Sequence, residues 1–119
     1  MAKILIAEDD SSMRNFLKMA LIRAGHEVAS CEDGIDALSA LDEDTYDLLL
    51  ADIVMPGMDG IELSQRATDK APQLKVMFIT GFAAVAMGNR NPSNKKTRVL
   101  SKPFHLKELV DQVDTLLAA

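Results

Sequence analysis

The stretch LLLADIVMPGMDG, residues 48–60, joins a continuous apolar run to an aspartate, Asp52, and then to a turn-rich segment. Continuous apolar runs are typical of strands buried on both faces, as in a parallel sheet that helices cover. The chain has three more runs of this kind and one shorter candidate strand, at residues 3–7, 76–80, 97–101 and 27–30. The sequence therefore predicts five strands, and Asp52 lies at the end of one of them.

Helical patterns lie between these runs. Apolar residues recur three and four positions apart from Met13 to Ala24, which is typical of one apolar helix face. We expect Ser11 or Ser12 to cap the start of this helix and Gly25 to terminate it. Three further helices have clear patterns. Two start at Asp33-Gly34, with Ile35 as the first apolar residue, and at Asp59-Gly60, and the last one has Pro103 near its first turn.

Strands that alternate with helices predict an α/β fold, here a doubly wound, five-stranded parallel sheet. One segment departs from the pattern: GNRNPSNKKTR, residues 88–98, contains Gly88 and Pro92, which are poor helix residues. We therefore expect the fourth helix, between the fourth and fifth strands, to be short or irregular.

Length and charge narrow the class of protein. A chain of 119 residues has the size of one domain, and its net charge of −5 argues against nucleic acid as a partner. A lone cysteine forms no internal disulfide, and no apolar run reaches the roughly 18 residues of a membrane span. We expect a cytoplasmic protein with no membrane partner, a single domain over residues 1–119 with no output domain.

Polar side chains follow four of the predicted strands. They are Glu8, Asp9, Asp10, Asp52, Thr80 and Lys102. Ligands of doubly wound sheets collect at the carboxyl ends of the strands, so these groups are expected to face one crevice. Neighbouring carboxylates repel unless a cation neutralises them, and Mg²⁺ prefers such an oxygen site. An aspartate beside Mg²⁺ can accept a phosphoryl group, with Lys102 and Thr80 binding its other oxygens.

A simpler interpretation exists for the first acidic group. Glu8, Asp9 and Asp10 would serve equally as an acidic turn at a helix start, where negative charge is favourable. The joint occurrence of Asp52, Thr80 and Lys102 at other strand ends favours the site, but for Asp10 alone both roles stay open.

Four motifs carry a family resemblance over the whole chain: ILIAEDDSSMR, LLLADIVMPGMDG, FITG and VLSKPF. In this order they resemble the receiver domains of two-component response regulators, with their flavodoxin-like fold. The resemblance implies Glu8 and Asp9 as an acidic metal pair, Asp52 as phosphoacceptor, Thr80 as switch hydroxyl, Lys102 as phosphate contact, the Val54 backbone carbonyl as a further metal ligand, and a cis Lys102-Pro103 bond. It also implies a protein that catalyses only its own phosphoryl acceptance and hydrolysis.

Within the family the chain is similar to the CpdR-type single-domain regulators of alphaproteobacteria, through FITGFAAVA and RVLSKPFHLKELV. This resemblance implies a histidine phosphotransfer protein or histidine kinase as phosphodonor. It further implies a role in cell-cycle control, in which the unphosphorylated form helps deliver substrates to the ClpXP protease, with ClpX as downstream partner.

The sequence departs from the family pattern in two places. Val99 stands where receivers commonly have an aromatic switch residue, so output is expected to use another surface or another ring, with Phe82 and Phe104 as candidates. Val54 and Phe82 are expected to flank the phosphoryl group, and neither can hydrogen-bond an attacking water. We therefore predict slow intrinsic loss of phosphate.

Two other functions remain to be weighed. A phosphatase of the haloacid dehalogenase type also uses a strand-end aspartate, but it needs a second aspartate where this chain has Val54. An adaptor that binds partners without phosphorylation has no use for the carboxylate cluster, although Val99 and the irregular segment at 88–98 are compatible with it.

Overall fold

The computed structural model describes residues 2–81 and 97–118. Their elements in chain order are β1 (Lys3–Ala7), α1 (Ser11–Arg23), β2 (Glu27–Cys31), α2 (Gly34–Glu43), β3 (Leu48–Asp52), α3 (Gly60–Lys70), β4 (Lys75–Thr80), β5 (Thr97–Ser101) and α4 (Leu106–Ala118). Phe82 and most of the segment predicted to be irregular lie outside the described residues. The last two positions of that segment, Thr97 and Arg98, begin β5.

The five strands form one parallel sheet in the order β2-β1-β3-β4-β5. The α/β fold with a doubly wound five-stranded sheet that the sequence predicts is confirmed. From β1 the chain runs to β2 on one side, and β3 lies on the other side. The strand order therefore reverses between β1 and β3, which is where doubly wound sheets open a crevice for ligands.

Alternate residues of the central strands face two separate cores. One core packs Ile4, Ile6, Leu48 and Leu50 against Leu17 and Leu21 of α1 and Leu109, Val113 and Leu116 of α4. The other packs Leu5, Ala7, Leu49 and Ala51 against Ala37 of α2 and Leu63 and Ala67 of α3. Because both faces of the sheet are covered, the strands read as continuous apolar runs.

Three helices begin at aspartates that act as N-caps. Asp10, and not Ser11 or Ser12, caps α1, because its carboxylate accepts hydrogen bonds from the backbone N–H groups of Ser12 and Met13. Asp33 and Asp59 cap α2 and α3 in the same way. The capping role that was expected as one possibility for Asp10 is thus confirmed.

Three other details of the helix predictions are now settled. Gly25 follows α1 with φ of 98°, a left-handed conformation that suits glycine and confirms the predicted end of that helix. Ile35, which the periodicity places on the apolar face of α2, is 66% exposed. Pro103 precedes α4, which begins only at Leu106, so its expected place near the first turn is wrong. Within the described residues, no helix is long and apolar enough to cross a membrane.

Candidate functional site

Three carboxylates meet where β1 and β3 end. One oxygen from each of Glu8, Asp9 and Asp52 lies within 4.8 Å of the other two. Glu8 is 1% exposed and Asp52 is 8% exposed, whereas Asp9 is exposed. The cluster is therefore partly buried and opens to solvent beside Asp9.

Lys102 brings a positive charge into this cluster from the end of β5. Its Nζ lies 3.1 Å from Asp52 Oδ2 and 3.4 Å from Glu8 Oε1. Its backbone N–H donates to the carbonyl of Thr80 over 2.9 Å, which ties the end of β5 to the end of β4. Thr80 is 1% exposed. The structure thus brings the predicted strand-end groups together at one edge of the sheet.

Backbone N–H groups hold two of the carboxylates in place. The N–H of Val54 donates to Asp52 Oδ1 and the N–H of Asp10 donates to Glu8 Oε2, each over 3.1 Å. Arg14 supports the same loop, because its Nη1 donates to the Glu8 carbonyl over 2.8 Å. The Val54 N–H points to Asp52, while the expected role of its carbonyl as a metal ligand stays a prediction.

Burial changes the protonation of Glu8. Loss of solvent, together with the nearby Asp52 charge, raises the pKa of Glu8 to about 7, although the Asp10 N–H and Lys102 act in the opposite direction. For Lys102, burial lowers the pKa, but the contacts with Asp52 and Glu8 outweigh it and raise the pKa above its ordinary value.

The raised pKa of Glu8 has a consequence for stability. The folded state binds this proton up to about pH 7, whereas the carboxyl of an unfolded chain loses it near pH 4.3. The folded state therefore holds more protons in that window, and the contribution of Glu8 to the free energy of unfolding falls as the pH rises through it. A bound cation would oppose this loss, because it compensates the charge of the ionised group.

The cluster fits Mg²⁺ better than a softer metal. All three donors are carboxylate oxygens, which suit a hard cation that retains several waters. In the part of the chain that the structure describes, no histidine or cysteine joins the group, so the nitrogen and sulfur ligands typical of zinc are missing. Glu8, Asp9 and Asp52 are the side chains that would hold the ion.

Gly60 positions Asp52, a role that the sequence analysis missed. A Cβ atom built on Gly60 would lie 2.2 Å from the Asp52 carbonyl oxygen and 2.9 Å from the Ile53 Cα atom. Its N–H donates to the Ile53 carbonyl over 2.9 Å. The start of α3 is thus packed directly on the backbone that carries Asp52. The motif MPGMDG indicates a turn but gives no sign of this close approach.

An apolar groove of about 560 Å³ adjoins Lys102. Met13, Phe16, Pro103 and Phe104 line it together with Lys102, and the rings of Phe16 and Phe104 lie 6.4 Å apart. Phe16 is 43% exposed. The Lys102-Pro103 bond in its wall is cis, as the family resemblance implies.

Val99 lies away from this groove, on β5. It is partly buried against the cluster of Ile53, Val76 and Phe78. The valine side chain fills this position, which an aromatic ring commonly occupies in the family that the sequence resembles. The roles of Val99, Phe104 and Phe82 in switching stay predictions.

Comparisons with known proteins agree with this geometry. The family model of the response regulator receiver domain matches residues 4–114. The chain is 52% identical over 119 residues to the response regulator receiver protein CpdR of Brucella abortus, covering 100% of this chain and 99% of that protein. It is 33% identical over 118 residues to the sensor kinase CckA of the same species, covering 98% of this chain but 12% of the kinase.

Two solved structures extend the comparison. The receiver domain of the hybrid histidine kinase CckA superposes with a TM-score of 0.82 at 32% identity, covering 97% of this chain and 98% of that one. The response regulator TrrA of Thermotoga maritima, solved in complex with Mg²⁺-BeF, superposes with a TM-score of 0.84 at 30% identity, covering 98% of this chain and 99% of that one.

Proposed function

The chain belongs to the receiver domains of response regulators in two-component signalling, and on that premise we propose that Asp52 accepts a phosphoryl group and that this event switches a binding surface. The observation that carries the proposal is the contact of Lys102 Nζ with Asp52 Oδ2, 3.1 Å, inside the carboxylate cluster. A phosphoacceptor needs a nucleophilic oxygen, a fixed cation and a site for a metal in one place. Asp52, Lys102 and the pair of Glu8 and Asp9 supply these three groups.

The proposed transfer starts from a phosphohistidine on the donor protein. An Asp52 carboxylate oxygen attacks the phosphorus, the P–N bond breaks, and its electron pair returns to the imidazole of the donor. Lys102 Nζ then donates to a phosphoryl oxygen in exchange for part of its contact with Asp52, and the Thr80 hydroxyl donates to another. Bound Mg²⁺ would supply the positive charge that offsets the phosphoryl oxygens.

The donor is a histidine kinase or a histidine phosphotransfer protein. The apolar groove beside Lys102 supports this proposal, because a donor needs a docking surface next to the acceptor. Met13, Phe16 and Phe104 provide apolar area there, and Pro103 joins that area to Lys102. The chain is also similar to the receiver domain of a hybrid histidine kinase, which is compatible with phosphoryl transfer between such a kinase and this chain.

The downstream partner is proposed from similarity to CpdR. On that basis the protein acts as a single-domain regulator over residues 1–119, located in the cytoplasm, and its unphosphorylated form engages ClpX in cell-cycle control. An adaptor that never uses phosphate is the second candidate. The buried Glu8 with its raised pKa argues against it, because this group makes the metal-free fold less stable at neutral pH and serves no purpose in a scaffold.

Removal of the metal gives the direct test of phosphoryl acceptance. We expect intact-mass measurements after incubation with acetyl phosphate to show one added phosphoryl group in Mg²⁺ and none in EDTA, because the clustered carboxylates then repel the incoming phosphate. Restoring Mg²⁺ in excess of EDTA should restore the adduct. If no adduct forms in Mg²⁺, although a titration shows that the ion binds, the result would favour the phosphate-independent adaptor.

The lifetime of the phosphoryl group should depend on Val54. Val54 is 56% exposed beside Asp52, and its side chain cannot hydrogen-bond a water. We expect Val54→Asn to speed dephosphorylation roughly tenfold, the factor that one hydrogen bond of about 1.4 kcal/mol provides in the transition state. Val54→Leu is the matched control and should keep the wild-type rate. The rate is measured as the disappearance of the phosphoryl mass adduct with time. Equal rates for all three proteins would refute this role of Val54.

A further inference from the structure

Arg14, near the start of α1, buries most of a charged side chain. That side chain is 18% exposed, whereas arginine is mostly found at the surface. Its Nη1 donates to the Glu8 carbonyl over 2.8 Å, and its Nη2 lies 3.7 Å from Glu32 Oε1. The Glu32 side chain is 75% exposed, and ion pairs of this kind contribute little to stability. The Glu8 carbonyl is therefore the main contact of the guanidinium among the described residues.

This contact holds the peptide unit that joins two of the clustered carboxylates. The Glu8 carbonyl and the Asp9 N–H belong to one planar unit. A rotation of that unit changes ψ of Glu8 and φ of Asp9, so it displaces the two side chains relative to each other. Backbone hydrogen bonds anchor the loop on either side, from the Glu8 N–H to the Cys31 carbonyl over 3.1 Å and from the Arg14 N–H to the Asp10 carbonyl over 2.9 Å. The Arg14 side chain adds a hold between these anchors.

A Mg²⁺ ion tolerates little displacement of its ligands. It demands near-octahedral geometry at about 2.0–2.1 Å, so two ligand atoms on it are at most about 4.2 Å apart. Oxygens of Glu8, Asp9 and Asp52 lie within 4.8 Å of one another. Asp9 is exposed, so packing does not fix its position. If the loop moved freely, ordering it would cost part of the free energy of metal binding.

The charge of Arg14 acts against a metal ion. A guanidinium near the site repels Mg²⁺, so removal of this charge alone would strengthen Mg²⁺ binding. Loss of the hold on the loop would weaken Mg²⁺ binding. Because the two effects have opposite signs, a substitution of Arg14 shows which of them dominates.

We propose that Arg14 is a positioning residue of the metal site. It holds the peptide unit between Glu8 and Asp9 so that both carboxylates reach the ion together with Asp52. This role rests on the proposed function of the site, and Arg14 itself contacts neither the ion nor the phosphoryl group. Replacing a residue that positions metal ligands typically weakens metal affinity about 10–100-fold. Arg14 would thus set the Mg²⁺ concentration at which the protein accepts phosphate.

A Mg²⁺ titration of the labelled full chain, followed in the ¹H–¹⁵N spectrum, tests this role. Arg14→Met removes the charge and the donor but keeps an unbranched stem. We expect its Mg²⁺ dissociation constant to rise at least roughly tenfold. In the absence of metal, the Asp10 N–H, which donates to Glu8 Oε2, should also exchange faster with solvent.

Two further variants separate the hydrogen bond from the charge. Arg14→Lys keeps the charge and a donor, and it should bind Mg²⁺ within about threefold of the wild type. Lys18→Met removes one charge from the next turn of α1, and the Lys18 side chain makes no hydrogen bond or ion pair with the described residues. This control should bind Mg²⁺ as tightly as the wild type or slightly more tightly.

Phosphoryl acceptance separates metal affinity from the chemical step. Arg14→Met should accept phosphate from acetyl phosphate slowly at low Mg²⁺ concentration. At saturating Mg²⁺ it should be nearly as fast as the wild type, because Asp52 and Lys102 are unchanged. A variant that is merely less stable would keep the wild-type Mg²⁺ affinity in its folded fraction.

Mg²⁺ binding by Arg14→Met that equals or exceeds that of the wild type would overturn the positioning role, and so would equal weakening in Lys18→Met. If circular dichroism shows that Arg14→Met does not fold, Arg14→Gln, whose shorter neutral side chain also removes the charge, takes its place with the same expected weakening. A wild type that binds Mg²⁺ but forms no phosphoryl adduct would refute the phosphoacceptor proposal alone. If the wild type binds no Mg²⁺, the metal site and the role of Arg14 fail together.

Discussion

Replacement of Asp52 by asparagine is expected to abolish phosphoryl acceptance completely. Asparagine has nearly the same size, so the fold should persist, but its amide oxygen is a poor nucleophile and carries no charge for Lys102 or a metal. Intact mass after incubation with acetyl phosphate and Mg²⁺ measures the effect, with one adduct in the wild type and none in the variant.

Asp59→Asn is the matched control for this experiment. Asp59 lies in the same loop, is exposed, and caps α3 by accepting from the Glu62 N–H over 2.8 Å. Asparagine caps a helix about as well as aspartate, so this variant should accept phosphate normally. If Asp52→Asn still gains the adduct, peptide mapping of the modified residue would show whether Asp9 or Glu8 is the acceptor, and the assignment of Asp52 would be wrong.

The chemistry of the site could be predicted because it depends on topology. Once continuous apolar runs indicate a parallel sheet, the residues that follow the runs must meet at one edge, and Glu8, Asp52 and Lys102 do so. The specific contacts could not be predicted. Periodicity does not say that Lys102 reaches two carboxylates, or that Glu8 is buried enough to raise its pKa to about 7.

Competition between similar residues limited the helix predictions. Asp10, Ser11 and Ser12 are adjacent in the sequence, and each could cap α1. Only the path of the backbone decides that Asp10 faces the free N–H groups. Ile35 has the right spacing for the core but lies at the solvent side of α2, whose buried positions are Gly34 and Ala37.

Gly60→Ala is expected to lower the free energy of unfolding by about 3 kcal/mol, the upper part of the range for overpacking. The new methyl group would lie 2.2 Å from the Asp52 carbonyl oxygen, a backbone atom that cannot rotate away. Either α3 moves or the end of β3 moves, and the hydrogen bond from Gly60 to Ile53 is weakened in both cases. Urea denaturation followed by circular dichroism measures the change.

Gly34→Ala provides the comparison, because Gly34 also follows a capping aspartate at the first position of a helix. Any gain in helix propensity is therefore the same at both sites. At Gly34 the nearest atoms to the new methyl group would be Cβ and Sδ of Met58, both at 3.1 Å, so this side chain needs to move by only a few tenths of an ångström. We expect the free energy of unfolding to fall by less than about 1 kcal/mol there.

The two variants should also differ in phosphoryl acceptance. Since the clash at Gly60 acts on the backbone of Asp52, Gly60→Ala should slow phosphoryl acceptance while Gly34→Ala does not. Equal losses of stability at the two glycines would show that the close approach of α3 to β3 is unimportant, and the positioning role of Gly60 would have to be abandoned.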